Sequence, residues 1–303
     1  MARRLFLIGA GGFIGPRIAR TAVMKGWEVV GLSRKKTSIE AESAATYQSL
    51  VGEATAVETY RRQLDIADLV VFNAAHIPQD FASSAEARQC IEVNALAPLS
   101  VLNCLNRSQQ RFVYLSSAQG YMSEDMKSTT SGIIFPVLHA PFYLASKFLG
   151  DVYTEHYRLK QGVRTAVLRI GSVYGPGQYR GMISKFIDNI RADRQIVLEN
   201  RGQHLAELTY VEDVAQAVLA VGERNSEGIF HIGSGRLTSA LEAAKIIVAA
   251  AGKTEAIIKL NEAKGRPTVG ESVGLDVTRM THELGLTPTA PEIGLKKTFI
   301  DWY

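Results

Sequence analysis

Along the first 170 residues, short apolar runs closed by turn residues alternate with longer segments whose apolar positions recur at helical spacing. The runs Arg4–Ile8, Glu28–Leu32, Tyr47–Val51, Leu69–Asn73, Arg111–Ser116 and Thr165–Ile170 read as strands. Most are nearly continuous in apolar residues, as strands covered on both faces of a parallel sheet are. Helices are predicted over Ile14–Lys25, Ala85–Asn106 and Tyr143–Gln161, with Gly26 and Gly162 as C-terminal stops. This alternation with right-handed crossovers predicts an α/β chain built on a doubly wound parallel sheet. After Ile170 the rhythm breaks at the turn cluster Gly171–Ser172–Val173–Tyr174–Gly175–Pro176–Gly177, and shorter elements follow. The expected organisation is a main domain over 1–170, joined again by the chain at about 209–232. A smaller substrate-binding lobe is expected over 171–303, with a last helical stretch near Thr238–Ala251.

Composition narrows the function classes. A chain of 303 residues with 46% hydrophobic and 21% charged positions buries a large core as an ordinary globular protein does. The net charge of +4 comes from scattered Lys and Arg rather than a basic stripe, which argues against a nucleic-acid partner and suits anionic small ligands. No apolar run reaches the roughly 18 residues that a membrane span needs. No leader-like stretch precedes Leu5–Ile8, so a cytoplasmic location is expected. Cys90 and Cys104 fall in helical segments and are expected as reduced thiols. The six histidines have no H-x-H or H-E-x-x-H spacing and join no acidic or cysteine cluster, so no metal site is expected.

The first candidate chemistry lies in Gly9-Ala10-Gly11-Gly12-Phe13-Ile14-Gly15, between the first strand and the first helix. There, free N–H groups and the positive helix end favour a pyrophosphate. The G-x-x-G-x-x-G spacing differs from the common G-x-G-x-x-G form, yet on a strand–turn–helix it predicts a dinucleotide and a Rossmann-type domain. The end of the second strand selects the cofactor: an acid there grips the ribose hydroxyls of NAD, whereas a cation suits the 2′-phosphate of NADP. Ser33 stands in the acid's place, followed by Arg34, Lys35 and Lys36. Arg34 can pair with a phosphate bidentately, so NADP is preferred to NAD, the alternative being a merely solvated basic loop.

A second set is Ser117, Tyr143 and Lys147. Tyr143 and Lys147 share one helix face, and the ammonium together with a positive nicotinamide is expected to pull the phenol down from its ordinary value near 10. Tyr-x-x-x-Lys is weak by itself among 11 tyrosines, but Ser117 at the end of Phe112–Ser116 can hydrogen-bond a carbonyl or alkoxide and makes the set specific. No G-x-S-x-G elbow surrounds Ser117, which removes a covalent serine mechanism. Asp213 is read as a helix cap or a link between the lobes.

With these residues, the chain resembles the NAD-dependent epimerase/dehydratase family of extended short-chain dehydrogenases/reductases, over essentially its whole length. The resemblance rests on the glycine loop, Gly52–Glu53, Asn73–Ala74–Ala75, Val93–Asn94, Ser116–Ser117 and Tyr143-x-x-x-Lys147. It continues through Arg169–Pro176, Tyr210–Ala215 and Gly294–Leu295 with Asp301–Trp302–Tyr303. It implies a two-lobed fold with the cofactor at the strand ends and the substrate between the lobes. The implied cofactor set is Gly9, Gly12, Phe13, Ile14, Gly15, Ser33, Arg34, Lys35, Gly52, Glu53, Asn73, Ala74, Ala75, Ser116, Tyr143, Lys147, Ile170 and Val173. The implied substrate set is Gln119, Ser172, Arg180 and Arg266. Many relatives dimerise through two long helices, here those near Ala85–Asn106 and Tyr143–Gln161.

Departures from the family pattern bear on the reaction. The dehydratases' Asp-Glu pair is replaced by Ala118–Gln119, which argues against dehydration. Ser172 replaces an Asn, and His204–Leu205–Ala206–Glu207 lacks the arginine that binds the substrate diphosphate, leaving Arg180, Arg201 or Arg266 to supply it. The expectation is an NADP-linked reductase of a keto group on an activated sugar, with Ser117, Tyr143 and Lys147 as the catalytic residues. The alternatives are a 4-epimerase that retains NAD and a non-catalytic NADP-binding sensor or macromolecule-binding protein.

Overall fold

The computed structural model describes residues 3–39, 46–80, 83–106, 109–119, 127–128, 140–262 and 274–302. In chain order the first part runs β1 (Arg4–Ile8), α1 (Gly15–Met24), β2 (Glu28–Ser33), β3 (Tyr47–Val51), α2 (Arg61–Ile66) and β4 (Leu69–Phe72). It continues through α3 (Ser84–Ile91), α4 (Ala97–Cys104), β5 (Arg111–Ser117), β6 (Lys127–Ser128), α5 (Pro141–Gln161) and β7 (Arg164–Ile170). Then come β8 (Ser172–Tyr174), α6 (Met182–Arg191), β9 (Ile196–Leu198), β10 (Leu205–Tyr210), α7 (Val211–Arg224) and β11 (Gly228–Ile232). The chain closes with β12 (Leu237–Ser239), α8 (Ala240–Ala250), β13 (Ile258–Leu260), β14 (Gly274–Leu275), α9 (Thr278–His282) and α10 (Pro291–Ile300).

The main sheet is parallel throughout, in the order β3-β2-β1-β4-β5-β7-β11. Its strands alternate between two buried faces. Leu5, Leu7, Val71, Val113 and Leu115 join α1 and α7 in one apolar cluster, while Phe6, Ile8, Phe72, Phe112 and Tyr114 face α2 and α4 in another. Two-sided burial is why these strands read as continuous apolar runs in the sequence. All the parallel strands point their C-terminal ends the same way, so the turns after β1, β2, β4, β5 and β7 gather at one edge. The chain re-enters this layer beyond residue 170: β11 pairs with β7, Val214 and Val218 of α7 share an apolar cluster with Ala19 of α1, and Met280 and Leu284 join the same cluster. A separate apolar cluster holds Ile183 and Ile187 of α6, Leu208 of β10, Ile247 of α8 and Leu295 of α10. Asp213 links rather than caps: its carboxylate accepts from Thr289 N at 2.8 Å and from Thr289 Oγ1 at 2.7 Å, tying α7 to the segment before α10.

One predicted helix is not continuous. Between α3 and α4, Glu92–Leu96 form a π-helical turn. Pro98 lies four residues after Asn94 and has no N–H to give the Asn94 carbonyl, so the α-helical ladder cannot close there. The Tyr114 hydroxyl supplies the missing bond at 2.5 Å. Among the described residues no helix is long and apolar enough to cross a membrane, and no group of His, Cys, Asp and Glu could hold a metal ion.

Candidate functional site

The glycine loop sits between β1 and α1, and its glycines do different work. Gly9 has φ +96°, and a Cβ there would lie 2.5 Å from Ala74 N. Asn73 reinforces that approach by donating from Nδ2 to Gly9 O at 2.8 Å. A Cβ on Gly15 would lie 2.5 Å from Ala10 O, inside the turn itself. Gly12 is different, because a Cβ there would have only Gly9 O within 4 Å, at 3.7 Å. Backbone bordering open space at a helix N-terminus fits the approach of a pyrophosphate. Gly11, absent from the expected set, closes on the second strand: its Cβ would meet Ser33 Oγ at 2.5 Å. The signal for it was the doubled glycine, whose partner only the folded chain reveals.

At the end of β2, the Ser33 hydroxyl donates to Lys35 O at 2.8 Å, and Gly52 N donates to Ser33 O at 3.0 Å. These bonds tie the turns after β2 and β3 together. Thr37, Tyr47 and Ser49 form a hydroxyl cluster beneath, with Thr37 Oγ1 and Tyr47 Oη 2.6 Å apart. Arg34, Lys35, Lys36 and Glu53 are exposed around it.

Helix α5 lies across β5 and brings the second set together. Lys147 is buried; its Nζ donates to Leu115 O at 2.8 Å, two residues before Ser117, and lies 4.8 Å from the Tyr114 ring and 6.0 Å from the Tyr143 ring. Tyr143 stands one turn earlier on the helix. Ser117 ends β5, paired in register with Ile170, and its hydroxyl accepts from Gln119 N at 3.2 Å.

Within the chain, burial opposes the pull expected of Lys147. The half-buried Tyr143 hydroxyl is pushed up to about 12, because partial removal from water penalises the phenolate, with a lesser contribution from Cys90. Burial presses Lys147 the other way, to about 8, against the pull of Asp151. With the ammonium drawn to the Leu115 carbonyl and itself desolvated, burial outweighs any help it gives the phenolate.

Three further residues position this pair, none of them assigned a role from sequence. Asn94, fully buried on the π turn, accepts from His76 N at 2.8 Å and donates to His76 O at 2.9 Å and to Ser146 Oγ at 2.9 Å. Ser146 in turn donates to Tyr143 O at 2.8 Å. Asp151, one turn beyond Lys147, forms a buried ion pair with Arg169 of β7, Oδ2 to Nε 2.8 Å. Burial pushes that carboxylate up, against the Arg169 guanidinium that holds it charged, and Ser116 is buried alongside it.

The remaining expected residues fall as follows. Ile14 and Val173 are half-buried against the first core cluster, and Ile170 is buried within it, leaving its carbonyl to accept from Ala118 N at 2.9 Å. Phe13 is half-buried at the loop, and Ala74 and Ala75 line the turn after β4. Gln119 and Ser172 are brought together, Nε2 to Oγ 3.4 Å. Arg180 is exposed, 5.5 Å from the Tyr179 ring, whereas Arg201 is engaged with Glu262 at 2.9 Å. Arg266 lies outside the described residues, as does most of the stretch between Gln119 and Pro141.

Comparison with known proteins bears on this geometry. Residues 5–233 match the model of the NAD dependent epimerase/dehydratase family. A dTDP-4-dehydro-6-deoxy-D-allose reductase of Streptomyces bikiniensis is 25% identical, covering 98% of this chain and 95% of that protein. A dTDP-glucose 4,6-dehydratase of Streptomyces griseus is 26% identical, covering 100% and 94%. The structure of UDP-glucuronic acid 4-epimerase from Bacillus cereus, in complex with UDP-glucuronic acid and NAD, superposes with a TM-score of 0.83 at 18% identity, covering 98% of each chain. The chain belongs to the NAD-dependent epimerase/dehydratase family, and so to the nicotinamide-dependent enzymes of the extended short-chain dehydrogenase/reductase type.

Proposed function

We propose that this enzyme is an NADP-linked reductase of a keto group on a nucleotide-sugar-like substrate. The observation that carries the reading is the seating of α5 on β5, which puts Tyr143, Lys147 and Ser117 at the same sheet edge as the open backbone of Gly12. The glycine-loop N–H groups would hold the pyrophosphate, Arg34 the 2′-phosphate and Lys147 the nicotinamide ribose. When bound, the nicotinamide supplies the hydride at the substrate carbon. Ser117 orients the carbonyl oxygen by hydrogen bonding. Tyr143, kept protonated by burial, delivers a proton to that oxygen, a contribution of roughly 10²–10⁴ in rate. Lys147, charged below about pH 8, faces the phenolate that remains. Ala118 and Gln119 provide no acid–base pair for water loss, so the reaction ends at hydride and proton transfer.

The similarity to a dTDP-keto-sugar reductase supports this substrate class. Ser172, Gln119 and Arg180 would contact it. A homodimer through α3, α4 and α5 is part of the proposal, since Ile91, Leu96, Phe148 and Val152 are all more than 40% exposed there.

A 4-epimerase with retained NAD is the second reading, favoured by the NAD present in the B. cereus epimerase structure. Binding of NADPH and NADH to the purified protein separates the two, with the protein as isolated assayed for retained nucleotide. The reductase reading expects exchangeable binding that favours NADPH. It also expects Arg34→Ala to weaken NADPH about 10–100-fold, the worth of a charge-assisted bond, and to leave NADH unchanged. Tightly retained NAD would reject it in favour of the epimerase, and an Arg34→Ala protein with unaltered NADPH affinity would overturn the assignment of the 2′-phosphate to Arg34.

A further inference from the structure

The turn between β8 and α6 is fastened at its base to the glycine-loop helix. Arg17, in the first turn of α1, donates from Nη2 to the Pro176 carbonyl at 3.1 Å and holds Nε 3.4 Å from Glu212 at the start of α7. Just before it, Gly175 is closed in: a Cβ there would lie 2.4 Å from Val211 Cγ1 and 3.6 Å from Phe13 Cζ. Beyond this base the turn folds back on itself, with Gln178 N to Gly175 O at 3.2 Å and Gln178 Nε2 to Val173 O at 2.9 Å. It then presents Tyr179, 75% exposed, with the Arg180 guanidinium beside its ring. One side chain thus joins the helix whose N-terminus faces the pyrophosphate position, the turn that carries Tyr179 and Arg180, and the helix that returns the chain to the main sheet.

We propose that Arg17 is a positioning residue that couples occupancy of the glycine loop to the order of the 175–181 turn, so that a bound dinucleotide prepares the second ligand's site. The inference rests on the reading that the glycine loop holds a dinucleotide. Filling that loop restrains the first turn of α1, and the Arg17–Pro176 bond passes the restraint to the turn. The bond is partly covered, with the Arg17 side chain 19% exposed, so it persists where a fully solvated contact would exchange with water. Arg20 and Lys297 also face Glu212, so loss of Arg17 does not leave that half-buried carboxylate without a cation. Couplings of this kind change the second ligand's affinity by roughly 5–150-fold.

Amide hydrogen exchange on the full-length protein, with and without saturating NADPH or NAD, tests it. In the wild type, cofactor is expected to slow exchange both at 9–18 and at 175–181. Arg17→Met is expected to keep the first protection and lose the second, and Arg17→Lys, which retains a donor for Pro176, to restore most of it. Protection at 9–18 alone in the wild type, or equal protection of 175–181 in Arg17→Met, overturns the coupling and leaves the cofactor reading standing. No protection at either segment overturns both. Should Arg17→Met fail to fold, the wild-type pair and Arg17→Lys still decide. Once a turnover substrate is in hand, Arg17→Met is expected to raise its KM with little change in kcat, a split that general destabilisation does not produce.

Discussion

Replacing Gly9, Gly12 and Gly15 with alanine, one at a time, separates folding from binding within a single loop. At Gly9 the new Cβ would sit 2.5 Å from Ala74 N on a backbone with φ +96°. The left-handed conformation costs about 1–2 kcal/mol and the overpacking about 1–3 kcal/mol, giving about 2–5 kcal/mol of destabilisation. At Gly15 the clash with the carbonyls of Ala10 and Gly9, at 2.5 and 2.6 Å, calls for a cost in the same range. At Gly12 nothing lies closer than 3.7 Å and φ is not left-handed, so alanine is expected to be neutral or stabilising by up to about 1 kcal/mol through the unfolded chain. For a protein of this size, Gly9→Ala and Gly15→Ala then lose about 3–8 °C in Tm by calorimetry, and Gly12→Ala loses none. Binding inverts the order for Gly12. If its backbone borders the pyrophosphate, a methyl group in that space weakens NADPH or NAD at least about tenfold by titration calorimetry, about 1.4 kcal/mol. A Gly12→Ala protein as unstable as Gly9→Ala would refute the packing argument, and one that binds the cofactor as tightly as wild type would refute the placement of the pyrophosphate.

Lys147 tests the electrostatics. Its value falls from 10.5 to about 8, so between those pH values the unfolded chain holds a proton that the folded one lacks, and stability rises with pH across that window. Lys147→Met is therefore expected to stabilise at pH 7 by about 1–3 kcal/mol and to flatten the rise, measured by urea unfolding at pH 7 and 10. An unchanged pH slope would mean that the ammonium is not desolvated. Asp151→Ala removes the carboxylate from a buried Arg169 and is expected to cost about 3–5 kcal/mol, whereas a well-packed apolar pair at both positions recovers most of it; equal unfolding midpoints for Asp151→Ala and wild type would contradict the burial. Phe148→Glu combined with Val152→Glu is expected to turn the proposed dimer into a monomer by light scattering at unchanged Tm. A wild type that is already monomeric would count against that interface.

Much of this molecule was legible before folding. The edges of β1 and β7 were found to within a residue, because a strand covered on both faces writes its burial into consecutive apolar positions. Ser117, Tyr143 and Lys147 were legible for a related reason: a strand end and an i,i+4 pair are local patterns, and only their meeting had to be inferred. The π turn was not foreseen. Its cause, Pro98 four residues after Asn94, is in the sequence, but the hydroxyl that satisfies the freed carbonyl belongs to Tyr114 on another element. Gly11 was passed over because the atom that forbids it a side chain, Ser33 Oγ, lies at the end of the next strand.

The sequence by itself determined the layer of parallel strands, the glycine turn between β1 and α1, and the strand end and helix pair that carry Ser117, Tyr143 and Lys147, since each depends on residues close along the chain. The tertiary structure alone decided the direction in which Tyr143 titrates, the pairing of Asp151 with Arg169 and the reach of Arg17 to Pro176. A pKa set by desolvation and a tie between distant segments depend on which groups exclude water from one another, and that is fixed only when the layers close.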